Sequence, residues 1–562
     1  MSITPSLQGL ASSALAWSTL ASFTLALCTV PADALSAQQP LPKPATRAER
    51  TSYLETSSYA DVITFIDSLK SLGAPITVQE LAKSPLGKSI PLVIASRPAV
   101  ATVADARRLN RPIVYVQANI HAGEVEGKEA VQALLRDWSF GKRPNVLDSL
   151  VVIVVPIYNT DGNDKLAPQA RNRGAQLGPE MIGERPNGAG LDLNRDYIKA
   201  EAPETQGSLA AFNAWSPDLF MDLHTTNGSY HGYALTYSPS LHPAAPLAPY
   251  TADTLLVEIT KRMKARHAFE IFPYGNFGTG GGRESITASD KSGWWTYEHT
   301  PRYGSNYYGT RGGISILSEA YSHDPLSRRV ASTRAFVQEI LSYVAENRAG
   351  IRARVAAGRA ASTLREGASS VPIRSRFSST PRMQPVLVER LDRIADSTVQ
   401  TEAGVPRGIK RSGVITAQVM PVVDRFEAAL SRQAPNGWVL DAKWDKAADL
   451  LRRHGVPITT IAKSGRQTLE VFTIDSVALS SRPFQGHREA TVTGRWSLVV
   501  RDVPAGSLFV PANTPRGLLS MLLLEPESDD GLLTWNLFDA ALAKGQEAPV
   551  ARLVTKPAGP GR

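Results

Sequence analysis

Apolar residues along the chain fall into two patterns. Short apolar runs occur at 113–118, 150–156, 219–223 and 314–317, the first of them rich in β-branched residues. None alternates strictly with polar positions, so each is expected as a strand buried on both faces. Helical spacing fills the intervals: Val62, Phe65, Ile66 and Leu69 within 51–72, then Ala130, Val131, Leu134, Leu135 and Trp138 after the first run. It recurs over 251–265 and again over 330–346, with Phe336, Val337, Ile340, Leu341 and Val344. This order predicts an α/β fold, a mostly parallel (mixed) sheet with helices on both faces. Each run ends in polar residues, so the strand ends are expected to meet on one rim, where open α/β sheets place their chemistry.

The pattern changes after residue 350. Residues 351–411 are rich in Arg, Ser, Ala and Pro and carry 12 Lys and Arg against 5 Asp and Glu, most of the chain's net charge of +9. The segment is read as a solvated basic connection, with a surface for anionic polymers or lipid headgroups as the alternative. It lacks interleaved aromatic residues, so no nucleic-acid partner is expected. Beyond it, a helix is expected over 446–454 and strands over 496–502, 507–511 and 518–524. Residues 412–562 are therefore read as a smaller C-terminal α+β domain.

At the other end, the first charged side chain is Asp33, and residues 14–30 are almost wholly apolar or small. Residues 1–37 read as a signal peptide cleaved near Ala37, which makes the protein secreted or periplasmic, with membrane contact only if that segment is retained. The one cysteine, Cys28, lies inside it, so the mature chain has no disulfide. Residues 38–50 are Pro- and Ala-rich and read as a disordered linker; residues 51–350 hold the α/β domain that the buried runs and helices predict.

The candidate chemistry sits at the strand ends. His121 and Glu124 follow the first run, and imidazole with carboxylate suits zinc, which in catalytic sites takes three protein ligands. His224, after the third run, supplies the third; Asp222, two residues earlier, could orient a ligand from behind it or serve as a structural hydrogen-bond partner. Glu319 ends the fourth run, placed to take a proton from water and pass it to a leaving group. Between them, Asn194 and Arg195 offer an amide beside a guanidinium suited to a carboxylate. Arg171 and Arg173 are cations that could stabilise an oxyanion.

The strand-end HxxE motif, the Asn-Arg pair, the distant His and the later Glu together resemble the zinc carboxypeptidase family, the carboxypeptidase A-like metallopeptidases, over about 51–348. The resemblance implies one Zn2+ held by His121, Glu124 and His224, with Glu319 as general base and acid for zinc-activated water. It implies that Asn194 and Arg195 hold the terminal carboxylate of a peptide or protein substrate. One of Arg171 and Arg173 then faces the oxyanion, Arg171 being the choice, with Arg173 beside the substrate. A mobile catalytic tyrosine is also implied; Tyr297, Tyr303, Tyr307 and Tyr308 compete, and spacing favours Tyr297. The stretches 482–487 and 524–536 resemble the C-terminal region of large bacterial secreted members, which implies packing or substrate positioning. Two other readings stand beside an exported metallocarboxypeptidase: a zinc amidohydrolase of cell-wall peptides or N-acyl amino acids, and a non-catalytic zinc-containing binding protein.

Overall fold

The structure, a computed structural model, describes residues 43–279, 284–289 and 291–555. The expected signal peptide, with Cys28, lies outside the described residues, as does most of the expected linker. Its last part, residues 43–50, was expected to be disordered and instead carries a helical turn, Arg47–Arg50, with Thr46 and Glu49 forming a capping box. Arg136 grips Glu49 at 2.6 Å and fixes that turn to the domain.

The main sheet has eight strands: β1 Ile76–Lys83, β2 Ser89–Ala95, β3 Ile113–Ala118, β4 Val151–Val155, β5 Leu219–Thr225, β6 Leu235–Pro239, β7 Ile271–Pro273 and β8 Ile314–Ala320. Their order is β1-β2-β4-β3-β5-β8-β6-β7. The four strands β4, β3, β5 and β8 run parallel, and antiparallel pairings flank them. All of β3, β4, β5 and β8 is buried, which is why their sequences read as continuous apolar runs.

One face is covered by helices α1 Tyr59–Ser71, α2 Glu126–Phe140, α4 Leu256–His267 and α5 Leu326–Glu346, whose apolar stripes join the sheet in one cluster. Helix α1 starts later than the expected residue 51, because Ser58 and Asp61 form a capping box that sets its first turn. The other face meets α3, Pro203–Trp215, and a short helix, Gly304–Thr310. There Tyr115 and Phe220 share a core with Trp438, Leu450, Leu518 and Leu522 from the C-terminal region.

That shared core changes the picture of residues 351–411. They are not a solvated connection: they form most of α6, Arg348–Ala361, and the strands Ser370–Phe377 and Arg382–Arg393. Several of their arginines are ion-paired, Arg411 with Glu389 at 2.9 Å and Arg382 with Asp424 among them. The following strand, Ile409–Val423, pairs in parallel with Gly293–Trp295 of the catalytic half. Residues 518–524, expected as a strand, are instead the helix α7, Gly517–Leu524. Every residue of it is buried, and a helix enclosed on all sides has no polar face to reveal its period.

Candidate active site

The parallel register brings three strand ends together. Glu319 on β8 lies opposite His224 on β5, and β3 beside them leads into His121 and Glu124. At the end of β3, Asn119 adopts a left-handed backbone (φ 63°), which turns the chain off the sheet. The Asn119 side-chain amide donates to the carbonyls of Ala122 and Glu124, at 3.3 Å each, and braces the turn that presents both ligands.

The Glu124 carboxylate stands between two imidazoles. Its Oε1 is 3.1 Å from His121 Nδ1 and its Oε2 is 2.8 Å from His224 Nδ1. One ligand atom from each of His121, Glu124 and His224 fits within 4.8 Å of the others, and all three residues are buried. The outer nitrogens face aspartates: His121 Nε2 lies 3.1 Å from Asp192, and His224 Nε2 lies 3.1 Å from Asp222 but is too poorly aligned to hydrogen-bond. Such outer carboxylates fix ring orientation and raise ligand basicity.

The charge state of this cluster fits a divalent cation. Burial would raise the Glu124 carboxyl, but Arg173, His121 and His224 hold it well below the usual range. Burial opposes protonation of His224, yet Asp222 and Glu124 push its pKa well above the ordinary value. Two imidazoles and a carboxylate gathered in a pocket that favours positive charge are a donor set suited to one Zn2+.

These groups line a cleft of about 350 Å³ together with Arg185, Asn194, Arg195, Tyr297, Tyr303, Leu317 and Glu319. Burial, the largest influence, raises Glu319 to about 8; His224 lowers it and Glu124 raises it further. Asn194 accepts from the Gly304 amide at 2.9 Å, and Arg195 donates to the Asn194 carbonyl at 2.8 Å. The Tyr297 hydroxyl meets Ser305 Oγ at 2.8 Å.

The two arginines chosen from sequence are not in this lining. Arg171 is exposed, on the short helix Gln169–Asn172. Arg173 donates to Glu124 at 2.6 Å and to the carbonyls of Thr225 and Thr226 at 2.6 Å each, so its guanidinium holds the ligand shell. A second arginine that lines the cleft beside Arg195, Arg185, was missed. Its Nε donates to Asp192 Oδ2 at 2.9 Å, and Asp192 also meets His121. Burial would raise the Asp192 carboxyl, but His121 and Arg185 hold it far below its ordinary value. The available signal was the place of Arg185 nine residues ahead of Asn194. Tyr307 and Tyr308 are buried in the core, whereas Tyr303 shares the cleft lining with Tyr297.

Residues 62–317 match the family model described as zinc carboxypeptidase. Carboxypeptidase 2 of Trichophyton equinum is 22% identical over 454 residues, covering 78% of this chain and 76% of that protein. A metallo-carboxypeptidase structure from Burkholderia cenocepacia is 18% identical with a TM-score of 0.38, covering 51% of this chain and 70% of that one. A second, from Pseudomonas aeruginosa, is 18% identical with a TM-score of 0.36, covering 53% and 70%. The family match coincides with the cluster of His121, Glu124 and His224, a zinc-dependent metallocarboxypeptidase-type catalytic site. Residues 62–317 therefore form a zinc carboxypeptidase family domain.

Proposed function

We propose that the protein is an exported zinc metallocarboxypeptidase that removes residues from the C-terminus of peptides. The observation that carries this reading is one cleft holding the His121–Glu124–His224 donor set, the Glu319 carboxylate and the Arg195 guanidinium. When bound there, zinc supplies Lewis acidity that activates water and polarises the scissile carbonyl. The Glu319 carboxylate takes a proton from the attacking water and returns it to the departing amine. Its burial suits both roles, since a carboxyl with a raised pKa holds a proton and releases it near neutral pH. Arg185, in the same lining, faces the oxyanion as charge develops.

Arg195 and Asn194 hold the terminal carboxylate. Among the described residues no acidic side chain lies within 4.0 Å of Arg195, so its guanidinium keeps its charge for a ligand. Export rests on the apolar stretch 14–30. Among the described residues no helix is long and apolar enough to cross a membrane.

The test is digestion of a peptide mixture by the purified mature chain, read by mass spectrometry, with a chelator and after added zinc. The expected result is stepwise loss of C-terminal residues that stops with chelator and returns with zinc. Internal cleavage, or cleavage of small N-acyl amino acids alone, would move the assignment to the amidohydrolase. Intact substrates with zinc bound would move it to a binding protein.

A further inference from the structure

The segment Glu525-Pro-Glu-Ser-Asp-Asp530 carries four carboxylates in six residues that the reaction above does not use. The first two face the C-terminal sheet. Glu525 accepts from Arg552 Nε at 3.0 Å and Trp438 Nε1 at 2.8 Å, and Glu527 accepts from Arg432 Nε at 2.9 Å. The last two face the catalytic half. Asp529 lies 2.8 Å from His299 Nε2. Asp530, fully buried, accepts from the Arg302 backbone amide at 2.6 Å, from Arg302 Nε at 3.0 Å and from Trp535 Nε1 at 2.9 Å. Arg302 also donates to Glu489 at 2.7 Å, and its guanidinium lies 4.6 Å from the ring centre of Trp535.

His299 and Arg302 belong to the same short stretch, 296–303, that brings Thr296, Tyr297, Glu298 and Tyr303 into the cleft lining. Tyr303 follows Arg302 directly, and the Arg195 guanidinium stacks over its ring at 4.1 Å. That stack and the bond to the Asn194 carbonyl are the contacts that orient the Arg195 guanidinium among the described residues. A charged guanidinium with no carboxylate partner has many rotamers to lose on binding, so what orders it beforehand sets ligand affinity.

We infer that Asp530 is a positioning residue for substrate: by holding Arg302 it places the Tyr303 ring, and the ring places Arg195 for the terminal carboxylate. The C-terminal region thereby completes the carboxylate subsite from outside the catalytic domain. The inference rests on the reading of Arg195 as the carboxylate holder.

The test compares the full-length mature chain, loaded with zinc, with its Asp530→Asn and Asp530→Glu variants. The probes are N-benzoyl-Gly-Phe, -Leu, -Lys and -Glu and their C-terminal amides. For Asp530→Asn, KM for the free acids is expected to rise about tenfold while kcat per bound zinc changes less than about threefold. Asp530→Glu, which restores the charge, is expected to recover most of that loss. An unchanged KM, or a loss of kcat that tracks lost zinc, would overturn the inference. Should Asp530→Asn fail to fold, Glu489→Gln loosens the same guanidinium from its half-exposed side. A smaller rise in KM is then expected, and none would overturn the inference. If the unaltered chain cuts amides as readily as acids, the reading of Arg195 fails by itself, and this inference fails with it.

Discussion

Glu319 and Lys128 show how burial sets the behaviour of single residues. Glu319→Gln keeps the shape of the side chain but cannot accept a proton. Turnover is expected to fall by about 10² to 10⁴, with zinc content unchanged by elemental analysis. A variant that also loses zinc would point instead to a structural role. Lys128 is fully buried on α2, where it donates to the Ser57 carbonyl and to Asn163. Burial lowers its pKa to about 8, against the raising influence of Glu129 and Asp164. The unfolded chain therefore binds more protons than the folded one between about pH 8 and the ordinary lysine value. Stability from this residue rises across that window, by a few kcal/mol at most, because below it the folded state carries a charge it solvates poorly. Urea unfolding at stepped pH, compared with Lys128→Met, is expected to show the wild-type gaining on the variant from pH 8 to 10; a flat difference would contradict this.

At the scale of elements, helix α2 and the sheet are held close by one glycine. A Cβ on Gly127 would come within 2.8 Å of the Leu223 Cβ and 3.3 Å of the Ala118 Cβ, both on the sheet. The first turn of α2 can thus sit directly over β3 and β5, and Glu124 two residues before it reaches His224. Gly127→Ala is expected to push that turn outward and weaken zinc binding by about an order of magnitude or more, while melting shifts only modestly. Competition with a chelator of known affinity measures this; unchanged zinc affinity would show that the turn adapts. On the far side, Glu126 accepts from Arg329 at 3.3 Å and ties α2 to α5.

At the scale of the whole molecule, the described residues from Lys43 to Thr555 group as one compact unit. Its two halves share backbone pairing at Trp294 with Val422, a hydrogen bond of 2.8 Å between Tyr307 and His454, and the core joining Phe220 to Leu522. A chain ended at Ala361 would keep α3 and the helix Gly304–Thr310 on that face of the sheet but expose the apolar surface that packs against Trp438, Leu450, Leu518 and Leu522, a loss large beside the marginal stability of a domain. Such a truncation is expected to aggregate or to lack a cooperative melting transition. A soluble, zinc-binding fragment would show that the catalytic half is self-sufficient.

The His121–Glu124–His224 donor set, the Glu319 carboxylate beside it and the parallel core of the sheet were legible in the sequence because each depends on local order. Strands buried on both faces are apolar throughout, and the polar residues that end them must fall on the rim; His121, Glu124, His224 and Glu319 follow from that rule. The capping of α1 at Ser58 was also written locally, though the broader apolar stripe masked it. Sequence alone could not sort the arginines, because Arg173 and Arg185 lie on irregular backbone and Arg171 on a four-residue helix, too short to show a period. Only the tertiary structure decided that Arg173 would hold Glu124, that Arg185 would enter the cleft and that Arg171 would face solvent. It also decided that α7 is a helix and that residues 351–411 are part of the body, since an apolar run or a basic one takes its conformation from what packs against it. Contacts such as Asp530 with Arg302 join residues 228 positions apart, and a separation of that kind is set by the packing of the whole chain.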